Sequence, residues 1–395
     1  MADRPSSPTR LAIARMFGKT GIRISAAVLA VFAAVALYAP FLSSEVALVW
    51  WDERGLRLPV FSDLFNRRSY VQYYDFLFNL VALMLPLLAV GWFSFRRRWS
   101  TGRRLSWSMA LIAVAFVACL VPVIPTTGGG HHAIWSYRPT VAETIVAKRE
   151  RVMSADQRLF AVFPVIPHRH DATYRGAVLA KPGDVNETSG SRFVLGSDSS
   201  GHDVCARMIF GSRISLTIGL VATGLSLLIG TIIGALSGYL GGATDLILQR
   251  IVEIMMCFPT FILVLTIVAM TDRDIFIIMM VLGLTGWAGV ARLVRGEFLS
   301  QAVRDYVLAA EAIGMPRWRI MFRHILPNAL TPLIITATFG IAGAVTTESG
   351  LAFLGLGDPN APSWGSLLNQ GRENIDYTWL IYAPGMAVFL LVTCL

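Results

Sequence analysis

Apolar positions in this chain gather into runs, and charge falls between the runs rather than within them. Eight runs approach the ~20 residues that an α-helix needs to cross a bilayer. They cover about 22–43, 75–95, 105–125, 213–238, 251–271, 275–291, 331–353 and 379–395. An isolated segment in lipid must satisfy its own backbone hydrogen bonds, so each run is expected to be a helix. The predicted fold class is therefore all-α: a polytopic membrane protein with about eight transmembrane helices. Gly219, Gly224, Gly230 and Gly234 lie within one run and would let helices approach closely. The last helix is expected to be short, because the chain stops at Leu395 inside it with no cytoplasmic tail.

The polar stretches complete the pattern. Residues 126–210 are the longest, with Thr126-Thr127-Gly128-Gly129-Gly130 at the start and prolines at 139, 164, 167 and 182. So long a stretch is expected to carry small structure of its own. Asp272-Arg273-Asp274 predicts a tight turn, and 292–330 a polar segment between the sixth and seventh spans.

Charge sets the orientation. The 395 residues are 55% hydrophobic and only 15% charged, against about 25% charged in soluble domains. A net charge of +9 raises the question of nucleic acid. The arginines instead flank apolar runs, as the positive-inside rule requires, so no nucleic-acid partner is expected. Arg96, Arg97, Arg98, Arg103 and Arg104 form the densest basic cluster, and Arg292, Arg295, Arg304, Arg317, Arg319 and Arg323 fall on the same side by alternation. That side is cytoplasmic. The N-terminus, with Arg4, Arg10, Arg15, Lys19 and Arg23, joins it. The run Ile24–Leu42 is longer than a signal peptide's apolar core and lacks a cleavage site, so an uncleaved first span is expected. The expected domains are a basic cytoplasmic N-terminus at 1–21, three transmembrane helices within 22–125, a periplasmic insert at 126–210, and a five-helix core at 211–395. Cys119, Cys205, Cys257 and Cys394 share no metal-like spacing and read as reduced thiols.

The segment from Tyr306 to Ala329 carries the chemistry. Ala309, Ala310 and Ala312 favour helix. Gly314 suits a left-handed position after a helix end. Pro316 suits the first turn of a second helix, and Pro327 is expected to end or kink the pattern before the next span. The local reading is a stiff elbow of helix, turn, helix.

Glu311-Ala312, Gly314 and Ile325-Leu326-Pro327 resemble the signature of binding-protein-dependent ABC importer permeases. The resemblance implies a coupling helix at about 309–322 that docks on an ATPase subunit. Its residues would be Ala309, Ala310, Glu311, Ala312, Gly314, Pro316, Ile325, Leu326 and Pro327. The alternative for this segment is an interfacial amphipathic helix, its Arg317, Arg319 and Arg323 meeting anionic lipid.

A second motif runs Leu195-Gly196-Ser197-Asp198-Ser199-Ser200-Gly201-His202-Asp203 through Arg207, Gly211, Arg213 and Ser215-Leu216. It resembles the segment before the core in dipeptide, oligopeptide and nickel permeases of the C type. That family prefers Thr where Ser197 stands and Arg where His202 stands. Gly238–Asp245, Phe258-Pro259, Phe353–Gly357 and Trp364-Gly365 resemble it too, so the likeness covers about 194–395.

The resemblance implies a type I ABC importer permease core, with the helices at 75–95 and 105–125 as an extra N-terminal pair. The implied function is half of a translocation path for peptides or peptide-like solutes. The implied partners are a second permease subunit, two ATP-binding subunits, an extracytoplasmic solute-binding protein and the lipid bilayer of a bacterial inner membrane. Pro259 and the intramembrane acid Glu348 are candidates for the path.

Gly18-Lys19-Thr20 lacks the earlier glycine of a phosphate-binding loop, since Ile13 stands there. No cofactor is expected, and ATP hydrolysis is expected on a partner. His131, His132, His168 and His170 read as solvated rather than metal-bound. The alternative class is a secondary transporter or channel. It would need ionisable relays within the spans, and these spans hold almost none.

Overall fold

The computed structural model describes residues 19–52, 55–67, 69–70, 72–94, 101–120, 124–125, 131–132, 160–174, 176–186 and 190–395. The basic residues before Lys19, Gly18, the cluster Arg96–Arg98, Thr126–Gly130 and the side chains of His131 and His132 lie outside the described residues. The helices are α1 (Thr20–Leu37), α2 (Tyr73–Ser94), α3 (Thr101–Leu120), α4 (Val204–Leu240), α5 (Gly242–Cys257), α6 (Thr260–Met270), α7 (Ile275–Ala302), α8 (Asp305–Ala312), α9 (Leu326–Phe353), α10 (Trp364–Glu373) and α11 (Trp379–Cys394).

Each predicted span contains a helix, and the protein is polytopic and predominantly helical. Among the described residues six helical stretches are long and apolar enough to cross a membrane: α1, α2, α3, α4, α7 and the run Arg317–Phe353 that ends in α9. The fifth span differs from expectation: it is broken into α5 and α6, bent by 76°. Pro259 has no N–H to continue the ladder, and it pushes Phe258 into an extended conformation (φ −85°, ψ 128°). The helix of the sixth span is longer than its apolar run. α7 runs on to Ala302, past Arg292 and Arg295, which were expected to open a polar segment. A long arginine stem leaves the backbone helical while its head reaches a polar partner. The eighth is 16 residues long. The predicted turn at Asp272–Asp274 is present, and Asp274 caps α7 by accepting from the Phe276 N–H at 2.7 Å.

The chain divides into two compact units. One comprises Met1–Ala30, Ile214–Glu373 and Pro384–Leu395; the other comprises Val31–Arg213 and Asn374–Ala383. In the first unit, α4 lies backbone to backbone on α7. A Cβ at Gly230 would come within 2.6 Å of Val290 Cβ, at Gly234 within 2.5 Å of the Ala291 carbonyl oxygen, and at Gly238 within 2.7 Å of the Arg295 carbonyl oxygen. Gly219 makes a similar approach to Ile341 on α9. Gly224 does not: nothing lies within 4 Å of its missing Cβ, so its expected packing role is withdrawn.

The second unit holds the polar structure. Strands β1 (Val49–Asp52), β2 (Gly55–Arg57) and β5 (Phe160–Val162) form an antiparallel sheet in the order β2-β1-β5, with Trp50 opposite Arg57 and Val49 opposite Val162. Two-residue strands β3 (Ile124–Pro125) and β4 (His131–His132) pair separately. The sheet binds the stretch after the first span to the stretch before α4.

Arg213 is the hub of this unit and is fully buried. Its Nε donates to the Ala36 carbonyl at 2.7 Å, Nη1 to Asp75 Oδ1 at 3.0 Å, and Nη2 to Asn79 Oδ1 at 2.7 Å and to the Leu37 carbonyl at 3.3 Å. The guanidinium also faces the rings of Phe78 and Phe210. The orphan carbonyls at the end of α1 and two polar side chains of α2 are thereby satisfied at once.

The motif around Asp198 folds into a loop beside it. Asp198 accepts from the backbone N–H groups of Ser200 and His202, each at 2.9 Å, and from Arg207 Nη1 at 2.6 Å. His202, standing where arginine was preferred, supplies a further partner at 3.0 Å. Burial raises the Asp198 carboxyl, but the His202 hydrogen bond and the Arg207 charge outweigh it and hold the group down at about 2. Ser197, in place of threonine, keeps the required hydroxyl: it accepts from the Ala180 N–H at 2.7 Å and donates to the Ala177 carbonyl. His168 and His170 are not the solvated side chains expected. His168 is buried, 2.8 Å from Asp203 Oδ2 and stacked on Phe193; His170 stacks on Phe210 at 4.1 Å.

Two outcomes follow. Gly234→Val should cost at least about 1–3 kcal/mol, because the Ala291 backbone cannot yield, whereas Gly224→Ala should be neutral; thermal unfolding in detergent reads both. Burial lowers His170 from the ordinary 6.5 to about 4, opposed by Asp171 and helped by Arg169, Arg207 and Arg213. Between those values acid protonates the unfolded chain first, so the second unit loses stability as pH falls from 6.5 toward 4. His170→Phe should flatten that loss in a pH series of melting curves.

Candidate functional site

The elbow is built as local chemistry dictates. α8 ends at Ala312 and Gly314 follows with φ +75°. The Gly314 N–H bonds to the Glu311 carbonyl at 2.9 Å and the Met315 N–H to the Ala310 carbonyl at 3.1 Å. This pair of bonds is the Schellman arrangement, which satisfies the last carbonyls of a helix. Pro316, extended at ψ 139°, then starts a new helical turn at Arg317–Arg319. The expected elbow of helix, turn, helix is present, with its turn at 313–316, so the coupling helix implied at about 309–322 is two pieces rather than one.

A second departure follows. Pro327 was expected to end or kink the pattern, yet helix continues through it. Residues Ile320–Ile325 form a π-helix, with the Leu326 N–H reaching the Met321 carbonyl, and Pro327 sits in the first turn of α9. A proline ring in an α-turn strikes the carbonyl four residues back. The wider π turn leaves it room.

The site residues fall on two faces. Ala310 and Ile325 are buried, Leu326 is half-buried, and Ala309, Glu311, Ala312, Gly314, Pro316 and Pro327 are exposed. The buried side joins Val307, Ile320 and Met321 in one apolar cluster with Ala235 of α4 and Val290, Val294 and Phe298 of α7. The exposed side presents Ile313, Trp318, Arg319 and Arg323. Glu311 accepts a hydrogen bond from the Tyr239 hydroxyl at 2.8 Å, which ties the elbow to the end of α4. Next to Tyr239, Asp245 takes both Nε and Nη2 of Arg295 at 2.6 Å each and also accepts from Ser237. Gln249 completes the group with a bond to Ser237 at 3.0 Å. The pairing of Asp245 with Arg295 has no local sequence signal, since a carboxylate and an arginine 50 residues apart carry no periodicity.

A cleft of about 520 Å³ opens between α4, α6, α7 and α9. Small residues and hydroxyls dominate its walls: Thr223, Ser226, Thr260, Thr285, Thr336 and Thr347, with Phe261 and Phe339 as large apolar surfaces. Among the described residues no charged side chain lines it. Pro259 is exposed and directly precedes the lining Thr260. Glu348 follows the lining Thr347 but is itself buried, 1% exposed, beside Ser349 and Ser363. Among the described residues no group of three or more His, Cys, Asp or Glu is placed to hold a metal.

Long apolar helices packed through glycine, a capped elbow and a cleft between the helices define a multi-pass helical membrane protein. Residues 230–395 match the family described as "Binding-protein-dependent transport system inner membrane component". The "Peptidoglycan transport system permease protein YejE" of Agrobacterium fabrum is 42% identical over 194 residues, 49% of this chain and 51% of the relative. The "Oligopeptide transport system permease protein OppC" of Haemophilus influenzae is 39% identical over 202 residues, 51% of this chain and 65% of the relative. The "Di/tripeptide transport system permease protein DppC" of Pseudomonas aeruginosa is 33% identical over 236 residues, 59% of this chain and 77% of the relative. The chain spans about half to two thirds of the length of the first two. It belongs to the family of binding-protein-dependent transport system inner membrane components.

Gly314→Val should lower stability by about 1–2 kcal/mol, because a β-branched residue is strained at φ +75°. Tyr239→Phe should cost less than ~1 kcal/mol, since its bond to Glu311 is solvent-exposed. Thermal melts of the two variants in one detergent should rank in that order.

Proposed function

We propose that this chain is a permease subunit of an ABC importer, forming half of a path for peptides or peptide-like solutes across a bacterial inner membrane. Its partners are a second permease subunit, two ATP-binding subunits and an extracytoplasmic solute-binding protein. The N-terminus is cytoplasmic, as the arginine distribution favours. On this reading 1–21 is a basic tail, 22–125 carries three membrane helices, 126–210 is a periplasmic insert and 211–395 is the permease core. The relatives named for peptide and peptidoglycan transport support the cargo class.

One observation carries the coupling role. The buried face of the elbow, with Ala310 and Ile325, packs in the same cluster as Val290, and Val290 also lines the cleft. Leu227 is likewise common to both. A push on the exposed face of 309–327 therefore moves groups that form the path wall. A packed core transmits displacement rather than absorbing it, and alternating access needs such rigid-body motion. Ala309, Ala312, Gly314 and Pro316 give the ATPase a low-relief surface, and Glu311 its polar contact. Pro259 sets the bend that brings Thr260 and Phe261 to the cleft, while Glu348 supports the outer end of α9 from behind its wall.

The test is reconstitution of the whole importer in liposomes with labelled peptide. ATP-dependent uptake should fall at least about tenfold for Glu311→Lys while the complex still assembles, as expected when a charge in an interface is reversed. Uptake at the wild-type level in an assembled Glu311→Lys complex removes the coupling role. Uptake driven by an ion gradient without ATP removes the importer reading altogether.

A further inference from the structure

The helix pair α2 and α3 takes no part in the cleft or the elbow, yet it builds a site of its own. At one end of the pair Leu88, Gly91 and Trp92 of α2 face Arg104, Trp107 and Leu111 of α3 across a cleft of about 280 Å³. The Arg104 guanidinium lies 4.7 Å over the Trp92 ring and its Nη1 donates to the Trp92 carbonyl at 3.4 Å. Gly91 makes the room, since a Cβ there would meet nothing within 4 Å. The apolar stretch of α3 has none of its residues buried, so something apolar must cover it.

Charge identifies the cover. Residues 96–104 carry five arginines and no acid; only Arg103 and Arg104 lie among the described residues. A protein helix laid here would need carboxylates at that level and an apolar face beyond it. A phospholipid with an anionic headgroup offers both by construction: negative charge above apolar chains. Tryptophans such as Trp92 and Trp107 favour the headgroup depth, and juxtamembrane arginines attract anionic lipid. We propose that the cleft between α2 and α3 binds one anionic phospholipid, its phosphate at Arg104 and an acyl chain along Leu88 and Leu111. None of its residues lines the larger cleft or belongs to the elbow.

The test is native mass spectrometry of the full-length protein in detergent, delipidated and titrated with phosphatidylglycerol or phosphatidylcholine of identical chains. The wild type should retain the last phosphatidylglycerol at least fivefold over phosphatidylcholine. Arg104→Ala should bring phosphatidylglycerol down to the phosphatidylcholine level. Gly91→Leu fills the cleft without a backbone clash and should reduce both lipids. Melting curves of both variants confirm that they fold. Equal retention of the two lipids by the wild type, or unchanged phosphatidylglycerol retention in both variants, overturns the proposal. Displacement by inorganic phosphate with no dependence on Gly91 would assign the site to a free anion and overturn it as well, as would a co-purifying polypeptide that blocks lipid uptake here.

Discussion

The contact of α4 with α7 through Gly230, Gly234 and Gly238 is the constraint on which the larger unit depends. In lipid, one helix gains little by hiding apolar surface from its neighbour, so close van der Waals contact must hold the pair. Glycine at every fourth position removes the side chains that would keep the axes apart. The rest follows from that spacing. Ser237 and Asp245 come within reach of one another, and Arg295 within reach of Asp245. Thr223 and Ser226 stand on the wall of the cleft with Thr285 and Gly286. Ala235 meets Val290 and Val294 in the cluster that also receives the elbow. Separating the two helices by the width of one methyl group would loosen the cleft, the ion pair and the elbow together.

The second unit depends on a buried cation instead of a glycine seam. Arg213 has no exposed surface, and its donors are spread over the end of α1, two side chains of α2 and two aromatic faces. A charge in such surroundings is tolerated only with full pairing, and losing one partner leaves the remainder costly. This gives α2 a physical role that its apolar pattern does not reveal. Asp75 and Asn79 anchor α2 to Arg213.

Much of this was legible in the chain. Apolar run length placed the helices, because lipid allows little else. Gly314 and Pro316 marked the elbow's turn, because only a few residues take those conformations cheaply. What escaped was set by contacts distant in sequence. Gly224 has the same identity as Gly234 but faces open space, and no local pattern tells them apart. The Pro327 reading failed because it assumed an α-turn ahead of the proline; the extra width of a π turn is chosen by packing around Ile320 and Ile325. Asp245 with Arg295, Tyr239 with Glu311, and His168 with Asp203 are pairs whose partners lie 50, 72 and 35 positions away.

The π stretch at Ile320–Ile325 has a geometric consequence for the whole rod from Arg317 to Phe353. One additional residue in a turn leaves the helix beyond it rotated by on the order of 100°, the angle an α-helix sweeps per residue. Trp318 and Arg319 look outward on one side of this step, while Thr336, Phe339 and Gly340 look into the cleft on the other. The stretch therefore acts as a gearing: it fixes the angular phase between what the elbow shows to the outside and what α9 shows to the cleft. Two surfaces on a single rod can thus be tuned in shape separately, but their relative heading is set by the six-residue stretch between them.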